Sequence, residues 1–335
     1  MKKLQYWSLM LGLAFGSLAF VACGDDKDDT SNTPPPTENN GGDNNGNGGN
    51  GDDGNSPAPV SLVGTWKCSH VGEDGTGVRE TIVVGQDQSY SASKTLLEIT
   101  ETYDINNNWV TKLNSYDYRW VGTWRDSLGF AVVTTTEYFK WDLDQNKQVK
   151  DEDFKPSSNV FYYSAYGNGI VAWGFEGGID FFTKDGAPRQ LPSFANHELC
   201  GRWECVQPWG DGYNENLLYY QFNADGTVEE GSMQRHIENQ EVFQGFRSVG
   251  IYAPIEGQMK QSVAGIESSA GTKLFSFIED TSSVFETVTG TGKWKPSSGR
   301  HGGHPMKYEL KDGKLYIGVI TMDPEYFYEY GFVKK

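Results

Sequence analysis

Leu62-Val63-Gly64-Thr65-Trp66-Lys67-Cys68 returns as Leu199-Cys200-Gly201-Arg202-Trp203-Glu204-Cys205, 137 residues further along the chain. Val84-Gly85-Gln86-Asp87-Gln88-Ser89-Tyr90 is matched by Phe222-Asn223-Ala224-Asp225-Gly226-Thr227-Val228, at a spacing of 138. Tyr118-Arg119-Trp120-Val121-Gly122-Thr123-Trp124 parallels Phe246-Arg247-Ser248-Val249-Gly250-Ile251-Tyr252, at 128. Three matches in one order at nearly constant spacing mark an internal duplication. Residues 60–335 number 276, twice 138. The sequence therefore predicts two tandem domains, 60–193 and 194–335, joined near Pro188 to Phe194.

Each copy has the period of a strand. Leu97, Ile99 and Tyr103 alternate with Glu98, Thr100 and Thr102, as on a sheet with one buried face. Turn clusters separate such runs: Asp104 to Asn108, Asp142 to Lys147, Asn168-Gly169, Asp225-Gly226 and Asp312-Gly313. These residues tolerate the positive φ that tight hairpins require. No segment keeps a helical period over ten or more residues. The expected class is all-β: two antiparallel up-and-down barrels, each of about eight strands of ~10 residues, closed so that no edge is exposed.

The motifs resemble those of a known family. Gly64-x-Trp66 and Gly201-x-Trp203 are similar to the Gly-x-Trp that opens lipocalin-like barrels. The Asp225-Gly226-Thr227 hairpin, the Val-Gly-x-aromatic at Val121 and Val249, and Asp312-Gly313-Lys314-Leu315 resemble features of lipocalin-like domains in bacterial lipoproteins. In the first copy Asp87-Gln88 replaces Asp-Gly, and no C-terminal helix is visible. The resemblance implies that Trp66 and Trp203 close the floor of each barrel.

Ahead of the duplication stand Lys2-Lys3, an apolar run from Tyr6 to Ala22, Cys23, and Gly24-Asp25-Asp26-Lys27-Asp28-Asp29. A cationic start, a short apolar core and a small residue before the break describe a signal peptide over residues 1–22. Cys23 at the break resembles the acylated cysteine of a bacterial lipoprotein, which carries palmitate-like chains as the mature N-terminus. Phe20 departs from the usual leucine of that signal. An uncleaved anchor and ordinary cleavage just past Cys23 are the alternatives; the run of about 17 residues is short for a bilayer core of ~30 Å. The acidic run after Cys23 resembles the export signal of surface lipoproteins of the Bacteroidota, although acidic residues also simply solvate a tether. Residues 23–59 hold almost nothing apolar and should be disordered, a flexible tether spanning ~33 Å on average.

The net charge of −17 divides into +2 on the signal, −7 on the tether and −12 on the rest. Such a surface repels phosphate backbones, so no nucleic-acid partner is expected. Beyond Cys23 the cysteines are Cys68, Cys200 and Cys205, an odd and sparse set for a disulfide scaffold. Burial as small apolar side chains is the main reading, with a bridge from Cys68 to either partner as the alternative.

Candidate sites are few. His301-Gly302-Gly303-His304 offers two imidazoles without further zinc ligands, and reads as a glycine hairpin. His70, His197 and His236 stand isolated. Asp142, Asp144, Asn146 and Asp153 imitate a calcium loop, but Lys147 occupies its glycine place. Gly290-Thr291-Gly292-Lys293-Trp294 has the wrong spacing for a phosphate loop. No metal or cofactor is expected, and no catalytic signature appears. Trp209, Asp211, Tyr213 and Asn214 form the most site-like loop, with a ring, a carboxylate and an amide suited to a sugar, although its main reading is an ordinary hairpin loop with an anchored tryptophan.

The expected function is therefore non-enzymatic. It is a lipoprotein fixed to membrane lipid through Cys23 on a bacterial outer membrane, at the cell surface or on the periplasmic face, that binds a small molecule or glycan. Two alternatives follow: a structural or protein-interaction component with filled cores, and an uncharacterised hydrolase revealed by a buried carboxylate cluster.

Overall fold

Alternating side chains and positive-φ turns give the described residues of the first half nine strands: β1 (Gly64–Val71), β2 (Gly77–Val84), β3 (Ser89–Tyr103), β4 (Trp109–Ser127), β5 (Phe130–Asp142), β6 (Lys147–Lys150), β7 (Ser157–Tyr166), β8 (Gly169–Trp173) and β9 (Ile179–Lys184). A computed structural model describes residues 61–335 apart from 73, 74, 128, 174–177, 265–272, 287–292, 298–301, 321–326 and 328. The signal segment, Cys23 and the tether, like His301 and Gly290 to Gly292, lie outside the described residues. Residues 58–335 form one unit.

All pairings are antiparallel. From β1 they run through β2, β3, β4, β5, β7, β8 and β9, and β9 pairs back with β1. β6 lies beside β5 as a short hairpin. The second half repeats the scheme with β10 (Gly201–Pro208), β11 (Asn214–Phe222), β12 (Thr227–His236), β13 (Val242–Pro254), β14 (Lys273–Glu286), β15 (Lys293–Ser297), β16 (Gly302–Lys311), β17 (Lys314–Val319) and β18 (Phe332–Lys334). Its pairings run from β10 through β11, β12, β13, β14, β16, β17 and β18, and β18 pairs with β10, while β15 lies beside β14. One contact, Gly303 opposite Ile179, joins the series into a single large sheet. The only helix among the described residues is α1 (Gly257–Ala264). The all-β class is as the sequence implies.

The duplication extends to individual atoms. Trp66 Nε1 donates to the Leu62 carbonyl at 2.7 Å, and Trp203 Nε1 to that of Leu199 at 2.8 Å. Both tryptophans are buried. In one turn Ser89 Oγ donates to Asp87 at 2.6 Å; in the other Thr227 Oγ1 donates to Asp225 at 2.6 Å. Trp124 N then donates to the Gln88 carbonyl at 3.0 Å and Tyr252 N to that of Gly226 at 3.1 Å. Gln88 takes φ +65° where its counterpart Gly226 takes +84°, so the Asp-Gln sequence makes the Asp-Gly turn. A β-bulge falls between Val121 and Gly122 and another between Val249 and Gly250.

The two halves meet through a shared apolar layer. Odd-numbered residues of β9, Ile179 and Phe181, with Val171 and Tyr166, pack on Ile251, Ala253, Ile255, Met259, Val263, Leu274 and Ile278. The segment between the halves is pinned there: Phe194 stacks on Tyr166 at 5.7 Å and lies 4.9 Å from Tyr252. Tyr166 Oη donates to the Tyr252 carbonyl, and the Arg189 guanidinium forks onto both carboxylate oxygens of Asp280.

Candidate functional site

Side chains on one strand face alternate, so Trp66, Cys68 and His70 share a face of β1. Across from Cys68 in register is Glu80, and across from Glu80 is Lys94. Phe182 packs with Trp66 and Cys68, which puts the even positions of β9, Asp180 included, on that same face. The Trp66 face of the first half thus changes character along its length. Around Trp66 it is apolar, with Ile82, Val84, Tyr90, Trp124, Phe161, Ile170 and Phe182. Beyond lies a polar tier of Cys68, His70, Glu80, Lys94 and Asp180.

Cys68, His70 and Glu80 are 7%, 8% and 6% exposed, so this tier is inside the protein. His70 Nε2 lies 3.1 Å from Cys68 Sγ and 2.9 Å from Asp180 Oδ1. Lys94 Nζ stands 3.7 Å from Glu80. Burial pushes the Cys68 thiol well above its ordinary range, and the negative charges of Asp180, Glu80 and Asp280 push it further. Burial by itself would lower His70, but the hydrogen bond to Asp180 and the charges of Asp180, Asp280 and Glu80 leave it raised. Cys68 is therefore a thiol rather than a ready thiolate nucleophile. The geometry also differs from a nucleophile–histidine–acid relay, where nucleophile and acid hold opposite ring nitrogens. Here both face Nε2.

An aromatic tier lies on the neighbouring strands, where Trp120 packs against the apolar cluster around Trp66. Tyr116 and Trp120, four residues apart, share one face of β4; Tyr138 stacks on Trp120 at 5.4 Å, and Phe154 closes on Tyr138 at 5.7 Å. Trp141 meets Tyr116 edge-on at 6.1 Å. All five are half-buried, and the buried Trp141 Nε1 has no hydrogen-bond partner among the described residues. Half-covered rings with an unspent N–H donor suit an amphipathic ligand.

The second half carries a different polar set. Glu230, across from Tyr220 and Ser248, has its carboxyl pushed up to about 7 by burial and by the charge of Glu279, against a lowering hydrogen bond from Tyr220. In the aligned positions the first half has Ala92 and Trp120 where the second has Glu230 and Ser248. The backbone plan is copied and the buried chemistry is not.

The loop singled out in the sequence is organised around itself. Asp211 accepts from the backbone N–H groups of Tyr213 and Asn214 at 2.9 and 3.1 Å, and from Asn214 Nδ2 at 2.8 Å. Trp209 sits edge-on to Phe243 at 6.0 Å, and Asn214 Oδ1 meets His236 Nδ1 at 2.8 Å. Tyr213, at 76% exposure, projects into solvent. The structure thus brings Trp209, Asp211, Tyr213 and Asn214 together, with Asp211 engaged in holding the turn. Asp142 likewise accepts from Gln145 N at 2.9 Å and Gln145 Nε2 at 2.8 Å, as a hairpin tip does. Cys68, Cys200 and Cys205 are all free thiols.

Sequence reading treats His70 as isolated and misses its partner, because Asp180 is 110 residues away. The available signal is Cys68-x-His70 itself, two ligating residues on one strand face. No described helix is long and apolar enough to cross a membrane. A scan of protein-family models and a search of curated proteins find nothing that matches this chain.

Proposed function

We propose that this is an exported, lipid-anchored bacterial envelope protein whose two halves, 60–193 and 194–335, are lipocalin-like barrels, the first of which binds a small amphipathic molecule or glycan. The reading takes each returning series of strand pairings as a barrel wall and the Trp66 and Trp203 faces as the interiors. The lipid anchor is Cys23, on an outer membrane, and the acidic run Asp25 to Asp29 after it directs the protein to the cell surface. The observation that carries the binding role is the half-buried aromatic tier of Tyr116, Trp120, Tyr138 and Trp141, with the unpartnered Trp141 N–H, set beside a buried polar tier. Aromatic faces cover the apolar side of a sugar or lipid-like ring while the N–H fixes its polar edge.

The test is a thermal-shift and native mass-spectrometry panel of glycans and lipids on the purified body. A ligand that raises the melting temperature of the intact protein and not of W120A/W141F supports the reading; no shift and no retained ligand across the panel sinks it. For the anchor, C23S should move the protein from the membrane to the soluble fraction and abolish acylation of the mature N-terminus.

A second reading, a protein-interaction component, is favoured by one feature. β3 and β4 pair with each other as far as Tyr103 opposite Trp109, past their last pairings with β2 and β5. This arm exposes Tyr103, Ile105, Trp109 and Leu113.

A further inference from the structure

The polar tier of the first half holds three metal-ligating atoms of three kinds. Cys68 Sγ, His70 Nε2 and Asp180 Oδ1 all lie within 4.8 Å of one another, on buried or half-buried side chains of β1 and β9. We propose that Cys68, His70 and Asp180 form a binding site for a divalent transition metal ion of the zinc class, independent of any organic ligand on the aromatic tier.

The argument begins with the nitrogen. An imidazole Nε2 has one in-plane direction, along which it donates or accepts a single good hydrogen bond. At His70 two heteroatoms compete for it, Sγ at 3.1 Å and Oδ1 at 2.9 Å. A cation seated among the three atoms meets the lone pairs of all of them at once.

The donor set is chemically apt. Thiolate, imidazole and carboxylate are the three ligand types zinc accepts, at about 2.3, 2.0 and 2.0–2.2 Å. Tetrahedral angles at those lengths separate the ligand atoms by about 3.3–3.6 Å, so the two contacts of Nε2, at 3.1 and 2.9 Å, lengthen by roughly half an ångström, while Sγ and Oδ1, which lie within 4.8 Å of each other, adjust to the same separation. Glu80 shares the face directly opposite Cys68, leaving the fourth position to its carboxylate or to water. Thiolate and carboxylate together neutralise the dication. On binding, the thiol proton and any proton on Nε2 leave to solvent, and no redox change occurs. Two strands fix the ligands: β1 supplies Cys68 and His70 two residues apart, and β9 pairs with β1 to bring in Asp180. Cys200 and Cys205 stand in the other half and take no part.

The experiment uses the purified body, stripped with chelator under reducing conditions and titrated with zinc alone and with cobalt(II) alone. One equivalent should bind, with a rise in melting temperature and, for cobalt, a thiolate charge-transfer band together with tetrahedral visible absorption. C68S should abolish the charge-transfer band. H70Q and D180N should each weaken zinc by at least about 10-fold, whereas C200S/C205S should bind as the unaltered protein does. Spectroscopy on the unaltered chain keeps the test decisive if a variant fails to fold. Absence of a thiolate band in the folded, reduced protein, or zinc affinity unchanged in C68S, overturns the site.

Discussion

At the scale of single residues the most consequential feature is a carboxyl that prefers its proton. Glu230 titrates near 7 because burial and the neighbouring charge of Glu279 disfavour its anion. A folded value above the unfolded value of 4.5 means that the native state holds the proton more tightly. Its favourable contribution is therefore fully present below pH 4.5 and is lost as pH rises through about 7. Chemical denaturation of the unaltered protein and of E230Q, compared from pH 4 to 8, should show the stability difference shifting in favour of E230Q over that window. Taking the difference removes the opposite trend of His197, whose value burial lowers. Parallel curves would refute the assignment. Neither this pair nor His70 with Asp180 could be read from the sequence, for one reason. Period-2 alternation says that a residue faces in, but which strands bring their inward residues together depends on register, and Glu230 and Glu279 sit on β12 and β14, separated by β13.

At the scale of elements the repeat was legible because backbone geometry demanded it. Val121-Gly122 and Val249-Gly250 recur since each marks a bulge where no side chain fits. A Cβ on Gly122 would lie 1.9 Å from the Thr134 carbonyl oxygen, and one on Gly250 2.0 Å from that of Ile278. Both obstacles are backbone, which cannot rotate away. G122A and G250A should each destabilise the protein by about 1–3 kcal/mol, the usual range for forced overpacking, measured as a lower denaturation midpoint with an unchanged slope. An unaltered midpoint in either variant would mean that the bulge is not required. The arm of β3 and β4 behaves oppositely. Replacing Ile105 and Trp109 by serine removes exposed apolar surface and should leave stability within about 0.5 kcal/mol. If this arm docks a partner, the same double substitution should abolish that docking. The turn at Asp104 to Asn108 was readable from its residues, with Asn107 at φ +64°. The arm's length was not, because alternation looks alike in a strand with one neighbour and a strand with two.

At the scale of the whole molecule the question is whether duplication produced two bodies or one. The aligned motifs imply two, and the pairing series of each half returns to its own first strand. The surface between them implies coupling. Ile179, Ile251 and Ile278 are each 0% exposed, in one apolar cluster to which both halves contribute. Phe181 adds to this layer, and Arg189 spans it to Asp280. Separating the halves would return this apolar layer to water, at about 25 cal/mol for each Å² uncovered. Neither half can unfold without exposing the other's share, so unfolding should be a single cooperative event. Calorimetry of the body should give one transition whose van't Hoff and calorimetric enthalpies agree. F181A/I278A, which thins the layer from both sides, should lower that transition and broaden or split it as the halves decouple, with each large-to-small change costing about 2–5 kcal/mol. Two resolved transitions in the unaltered protein would show instead that each copy is stable alone and that the layer between them contributes little.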